Sequence, residues 1–186
     1  MSFKVLVIPE DPTFNGYILK PLVEAILAEA GKPKAKVQML TNPKVGGFDQ
    51  ARRAIREVLP DSYRHWDLWV FIPDADRGSE QAMNELEEGA NAQGIRLLCC
   101  PAQPEVEIYC CVASREALNA PWDKVRSSSR MKEEYFEPLL REHGEMNSAG
   151  GGRETLIAAS LSKMETLFRL CPELARLRDR IQSLTS

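Results

Sequence analysis

An apolar run that stops abruptly at two aspartates constrains this chain more than any other stretch. Trp66-Asp67-Leu68-Trp69-Val70-Phe71-Ile72 is of strand length and rich in aromatic and β-branched residues, and Pro73-Asp74-Ala75-Asp76 follows directly. The pattern predicts a buried strand with negative charge at its tip. Two carboxylates one residue apart repel each other unless a cation lies between them. Hard oxygen ligands with no sulfur or imidazole close by favour Mg²⁺ or Mn²⁺. Aspartates also cap helices and build turns, and Arg77-Gly78-Ser79-Glu80 reads as a helix entry, so the pair by itself leaves capping and metal binding both open.

The flanking segments give the pair a setting. Phe3 to Pro9 is a first strand, apolar along both faces as a covered parallel sheet requires, with Glu10 at its tip. A turn through Asp11 to Gly16 leads into a helix that carries Ile18, Leu19, Leu22, Val23, Ile26 and Leu27 on one face and ends at Gly31. Lys36 to Leu40 is a second strand, followed by a loop in which Lys44, Gly46 and Gly47 are candidates for meeting a phosphate. Phe48, Ala51, Ile55 and Val58 mark a second helix that Pro60 should stop. A polar helix over Ser79 to Ala92 and strands over Ile95 to Cys100 and Val106 to Ala113 complete the pattern. This alternation predicts an α/β fold, a parallel sheet flanked by helices, whose ligands bind beyond the carboxyl ends of the strands. Glu10, the Gly46-Gly47 loop, Asp74 and Asp76 all fall at that edge. Two further acids are candidates: Glu80, about one helical turn past Asp76, and Glu107, on the expected fifth strand. Each could hold a second metal, or serve as a cap or surface charge (Glu80) or a structural acid (Glu107).

After Ala113 the character changes. Pro121, Ser127-Ser128-Ser129 and the stretch from Gly144 to Gly152 punctuate helical segments near Met131 to His143, Glu154 to Leu167 and Pro172 to Leu184. Residues 1–113 therefore form the α/β core and 114–186 a C-terminal helical extension, packed on the core or docking from it, with a mobile loop expected over Asn147 to Gly152. Leu161, Met164, Leu167, Phe168, Leu170 and Leu174 exceed what a small sheet edge needs as cover, which makes the extension the candidate docking surface, although packing onto the sheet is the expected use of most of them.

Charge limits the partners. With 27 acidic against 24 basic residues the net charge is −3, which argues against a free-standing protein that wraps duplex DNA by neutralising phosphates. Arg52, Arg53 and Arg56, and Lys124, Arg126, Arg130 and Lys132, are local basic clusters that suit either a solvated face or a backbone contact. No apolar run approaches the roughly 18 residues of a membrane span and no signal-like segment follows Met1, so the expected location is cytoplasmic, without membrane contact. The adjacent pairs Cys99-Cys100 and Cys110-Cys111 suit neither a disulfide nor a zinc claw and are expected to be small buried hydrophobes. His65 and His143 lie far apart, so a histidine base at the acidic edge is not expected.

One acid after strand one and Asp-x-Asp after strand three resemble the Toprim fold, through Val5-Leu6-Val7-Ile8-Pro9-Glu10 and Phe71-Ile72-Pro73-Asp74-Ala75-Asp76. More narrowly, the chain is similar to small Toprim-like bacterial proteins often encoded near ATPases, through Gln103-Pro104-Glu105-Val106-Glu107-Ile108-Tyr109 and Phe168-Arg169-Leu170-Cys171-Pro172-Glu173-Leu174. The resemblance implies phosphodiester hydrolysis on nucleic acid, with Asp74 and Asp76 holding Mg²⁺ or Mn²⁺ and Glu10 acting as ligand or general base. It implies an ATPase partner in a defence or repair system, such as anti-phage defence. Homo-oligomerisation is left open. A phosphoacceptor receiver domain shares the acids but needs a lysine after its fifth strand, where Ser114-Arg115-Glu116 offers none. A non-catalytic interaction module with the same fold is the remaining alternative.

Overall fold

The computed structural model describes residues 2–75 and 79–185; Asp76, which carries half of the expected metal pair, lies outside the described residues. Four parallel strands form one sheet in the order β2-β1-β3-β4: β1 Lys4–Pro9, β2 Lys36–Met39, β3 Leu68–Ile72 and β4 Leu97–Cys99. Val7 pairs with Met39 on one side and Val70 on the other, so β1 and β3 are the central strands. Their side chains alternate between two cores. Val5, Val7, Leu68, Val70 and Ile72 face helix α1 (Asn15–Glu29), while Leu6, Ile8, Trp69 and Phe71 face the opposite layer. A strand covered on both faces has no polar position to give up, and this is why both central strands read as unbroken apolar runs.

The second layer holds α2 (Phe48–Arg53), a π-helical segment over Ala54–Val58, α3 (Leu59–Tyr63) and α4 (Glu80–Ala92). Pro60 does not stop this helix as the sequence led us to expect. It lies in the first turn of α3, a position at which helices tolerate proline, and the wider π turn directly precedes it. At the sheet edge the Cys99 N–H donates to Glu87 Oε1 at 2.6 Å, and Glu87 also binds the Arg180 guanidinium through Oε1 and Oε2. A side chain of α4 thus caps an open backbone donor of β4 and ties helix α10 (Pro172–Thr185) to it.

A larger correction concerns Val106 to Ala113. It is not a fifth strand but a turn leading into the short helix α5 (Ile108–Cys111) and a 3₁₀ segment over Val112–Leu118. Ile108, Tyr109, Cys110 and Cys111 are fully enclosed, and an apolar run buried on every side carries no period that separates strand from helix. Glu107 consequently precedes a helix and is not on a neighbouring strand.

The extension is α6 (Trp122–Ser127), a π segment over Lys132–Phe136, α7 (Glu137–His143), α8 (Arg153–Leu161), α9 (Met164–Leu170) and α10. It shares one core with α1 and α5: Phe136, Leu156, Ile157, Leu167, Phe168 and Leu174 are buried there, and Leu161, Met164 and Leu170 pack against it. These apolar residues are therefore used within the chain, the use expected for most of them, and not as a docking face. Trp122 Nε1 and Arg126 Nη1 both donate to Leu170 O, the last carbonyl of α9, and Arg126 forms a two-point ion pair with Glu173. The loop before α8 is built from successive turns, with Ser148 N–H donating to Glu145 O, Gly151 N–H to Ser148 O and Gly152 N–H to Ser148 Oγ. Gly152 has φ +89°, and a Cβ there would lie 2.7 Å from Gly144 Cα, so glycine is required twice over. No helix among the described residues is long and apolar enough to cross a membrane.

Candidate functional site

The parallel register sets the site. Pro9 of β1 pairs with Ile72 of β3, so the residues just past each strand, Glu10 and Asp74, emerge side by side at the carboxyl edge of the sheet. The Asp74 N–H donates to Glu10 Oε2 at 3.0 Å. The Asp74 carboxylate accepts at Oδ1 from the Val106 N–H, also at 3.0 Å, while the Ala75 N–H is shared between Ala102 O and Pro104 O. The tip of β3 is thereby stapled to the segment after β4, which brings Glu105 and Glu107 to the same place. Glu105 Oε1 accepts from the Lys132 N–H at 2.9 Å, and buried Glu107 pairs with Lys132 Nζ at 3.0 Å.

Four carboxylates crowd this edge, and Asp74 bears the consequence. Burial pushes its carboxyl up to about 7; the Val106 N–H opposes this, and the charges of Glu107, Glu10 and Glu105 add to it. Burial, with Glu107 beside it, also raises Glu105. At Lys132 burial favours the neutral amine, but the Glu107 carboxylate outweighs it and holds the ammonium above its ordinary range. Among the described residues, Lys132 is the cation paired with this cluster, through Glu107.

The donor set, oxygen only and self-repelling, fits a hard divalent cation. Among the described residues no group of three or more Asp, Glu, His or Cys side chains is arranged to hold a metal ion. Glu10 and Asp74 are the two expected ligands that the structure brings together.

The other candidates fall differently. Gly47 lies beside Glu10, but its N–H donates to Glu10 O, and the Gly46 N–H donates to Gln50 Oε1, so neither amide of this loop is open to a phosphate. Lys44 is exposed nearby. Glu80 sits in the first turn of α4 behind its N-cap Ser79, exposed, where a carboxylate suits the helix dipole. It lines a cleft of about 650 Å³ between α4 and α10 beyond the end of β4, together with Glu87, Gln103, Arg126, Arg176 and Arg180. The five cysteines are free and buried, and burial lifts the Cys100 and Cys111 thiols to about 12, so they are unreactive core residues as expected.

Sequence reasoning missed Lys132 as the internal partner of Glu107 and Arg126 as that of Glu173, having placed both in a surface cluster. Their spacing carried no signal, because each partner lies 25 or more residues away and meets its mate only through the fold. Glu105 stood in the sequence as the first acid of Glu105-Val106-Glu107, but only Glu107 was taken as a candidate for the site. No family model, curated protein or solved structure matches this chain.

Proposed function

We propose that this protein is a metal-dependent phosphodiesterase of Toprim type that hydrolyses nucleic acid. The observation that carries the proposal is the contact of Glu10 Oε2 with the Asp74 N–H inside a cluster of carboxylates whose mutual repulsion a cation would relieve. The acids follow the two central strands of a parallel sheet, where α/β folds bind their ligands. Asp74 and Asp76, with Glu10, are the residues that would hold Mg²⁺ or Mn²⁺. Such an ion, when bound, polarises a phosphoryl oxygen and acidifies a water. Glu10 is placed to accept a proton, its position fixed by the Asp74 amide. Lys132 holds Glu107 in place through its ion pair, beside Asp74. With an acidic surface overall, the chain is expected to grip nucleic acid weakly alone, and the ATPase partner would supply the positive surface.

A second reading has its own support. Glu10 and Asp74 each accept a backbone N–H, so both could serve only to staple strand tips in a non-catalytic interaction module. Thermal melts with Mn²⁺ or Mg²⁺ separate the two, because an ion bound only by the folded chain must raise its melting temperature. A rise in the wild type that is lost in Asp74→Asn, with metal-dependent cleavage of a nucleic-acid substrate, supports the phosphodiesterase. No metal-induced rise and no cleavage, with or without a candidate ATPase partner, rejects it in favour of the module.

A further inference from the structure

Arg153 is a buried guanidinium with almost nothing to hold it. It opens α8, is 9% exposed, and among the described residues its guanidinium makes one hydrogen bond, a weak one from Nη1 to Gly150 O at 3.4 Å. Its Nε is enclosed and has no partner, and no carboxylate among the described residues pairs with it. Two aromatic rings cover the guanidinium, Phe14 with its centroid 4.3 Å from Cζ and Phe136 at 5.3 Å. Rings attract a cation through their faces but accept nothing from N–H groups at its edge. The edge formed by Nε and Nη2, the fork that matches two oxygens of a phosphate or carboxylate, is left without a protein acceptor. Folded proteins rarely leave a buried charge in that condition unless a ligand completes it.

Its surroundings say which ligand. Phe14 lies four residues beyond Glu10, at the start of α1, and Gly150 packs so closely on Tyr17 that a Cβ there would come within 3.0 Å of the ring. The turn that carries Arg153 is thus fixed to the same edge of the sheet as the acids. On its other side lies Lys132, close enough for the two cations to repel, and Lys132 is already bound to Glu107. Among the described residues, Arg153 has no acid to neutralise it as Glu107 neutralises Lys132.

We propose that Arg153 is a phosphate-binding residue, which receives a phosphoryl group of the nucleic-acid strand on the α1 side of the acidic cluster. The assignment rests on the phosphodiesterase reading for the identity of the ligand, but anion binding by Arg153 can be measured without catalysis. Since Nε is enclosed, two-point seating requires the cover to yield, and Phe14, 42% exposed, is the less enclosed of the two rings.

The test uses the full chain in EDTA with a 5′-phosphorylated trinucleotide and, separately, inorganic phosphate. An enclosed Nε–H exchanges slowly with water, so its ¹H–¹⁵N resonance is observable and can be assigned by its loss in Arg153→Lys. We expect the trinucleotide to shift that resonance. We expect binding to weaken at least tenfold in Arg153→Gln, with Arg153→Lys intermediate and exposed Lys20→Ala unchanged. A response to inorganic phosphate alone would keep the anion site and remove the nucleic-acid ligand. No binding by the wild type at millimolar probe, or binding that leaves the Nε–H unmoved and survives Arg153→Gln, overturns the proposal. The wild-type spectrum decides the matter even if Arg153→Gln fails to fold. Metal-dependent cleavage with an unchanged KM in Arg153→Gln would reject the role of Arg153 and leave the phosphodiesterase standing. Anion binding without any cleavage would do the reverse.

Discussion

Replacing Asp74 by asparagine should stabilise the metal-free protein, and the gain should depend on pH in one direction only. The folded chain lifts this carboxyl from an ordinary 3.8 to about 7, chiefly by burial and then through Glu107, Glu10 and Glu105. Below pH 3.8 the residue is protonated in both states and burdens neither. As pH rises toward 7 the unfolded chain releases the proton freely while the native state must either keep it or bury a charge, so native stability falls across that interval. About three pH units at about 1.4 kcal/mol each gives a ceiling of about 4 kcal/mol above pH 7. Local relaxation and water entry reduce this, and about 1–3 kcal/mol is the expected gain. Asparagine keeps an oxygen for the Val106 N–H, so little of the geometry is lost. At about 2–4 °C per kcal/mol for a chain of this size, Asp74→Asn should melt about 3–10 °C above the wild type at pH 8 in EDTA and within about 2 °C of it at pH 4. Urea denaturation at both pH values measures the difference directly. A variant less stable than the wild type at pH 8, or equally displaced at pH 4 and pH 8, would refute the claim that the fold holds this carboxylate against its preference.

Three other expectations concern the same architecture. Metal affinity should rise about tenfold per pH unit between pH 5 and 7 and level off above, because the ion must displace the Asp74 proton; calorimetric titration with Mn²⁺ checks this, and a flat profile contradicts it. Glu173→Ala should cost about 3–5 kcal/mol by stranding the half-buried Arg126 guanidinium, while Arg126→Met with Glu173→Met should recover most of that loss in denaturant melts. Gly152→Ala should cost more than about 1 kcal/mol, since it meets both a positive φ and the Gly144 backbone, whereas Gly89→Ala on open α4 should be neutral or stabilising.

The sheet was legible because its signals are local. The apolar runs Lys4–Pro9 and Leu68–Ile72 have strand length and turn residues at both ends, and acids placed after strands one and three must meet once those strands pair in parallel. What misled was burial without period. Val106 to Ala113 satisfies every criterion for a core strand, and only the staple of Ala75 to Ala102 and Pro104, a contact across about 30 residues, shows why the chain turns there into α5. The cations of the site were illegible for a related reason. Lys132 and Arg153 look like ordinary helix charges in sequence, and their roles arise from what covers them: Glu107 for one, Phe14 and Phe136 for the other.

These cations also decide what the extension is for. If residues 1–113 formed an independent unit, a chain ending there would keep its sheet and lose only a decoration. The structure argues otherwise, because α1 and α5 turn their inner faces toward Leu156, Ile157, Leu167, Phe168 and Leu174, all supplied by the extension. Each large apolar side chain uncovered on either side forfeits about 1.5–3 kcal/mol, so losing five, about 8–15 kcal/mol, matches the 5–15 kcal/mol by which a typical domain is stable. A 1–113 chain should therefore lack a cooperative melt, bind a hydrophobic dye and show collapsed near-ultraviolet circular dichroism while retaining some helix. A sharp melt within a few degrees of the full chain would refute this and make the extension an appendage. If the expectation holds, the acids of the sheet edge and the cations Lys132 and Arg153 are parts of one cooperative unit, and the site cannot be assembled from the sheet alone.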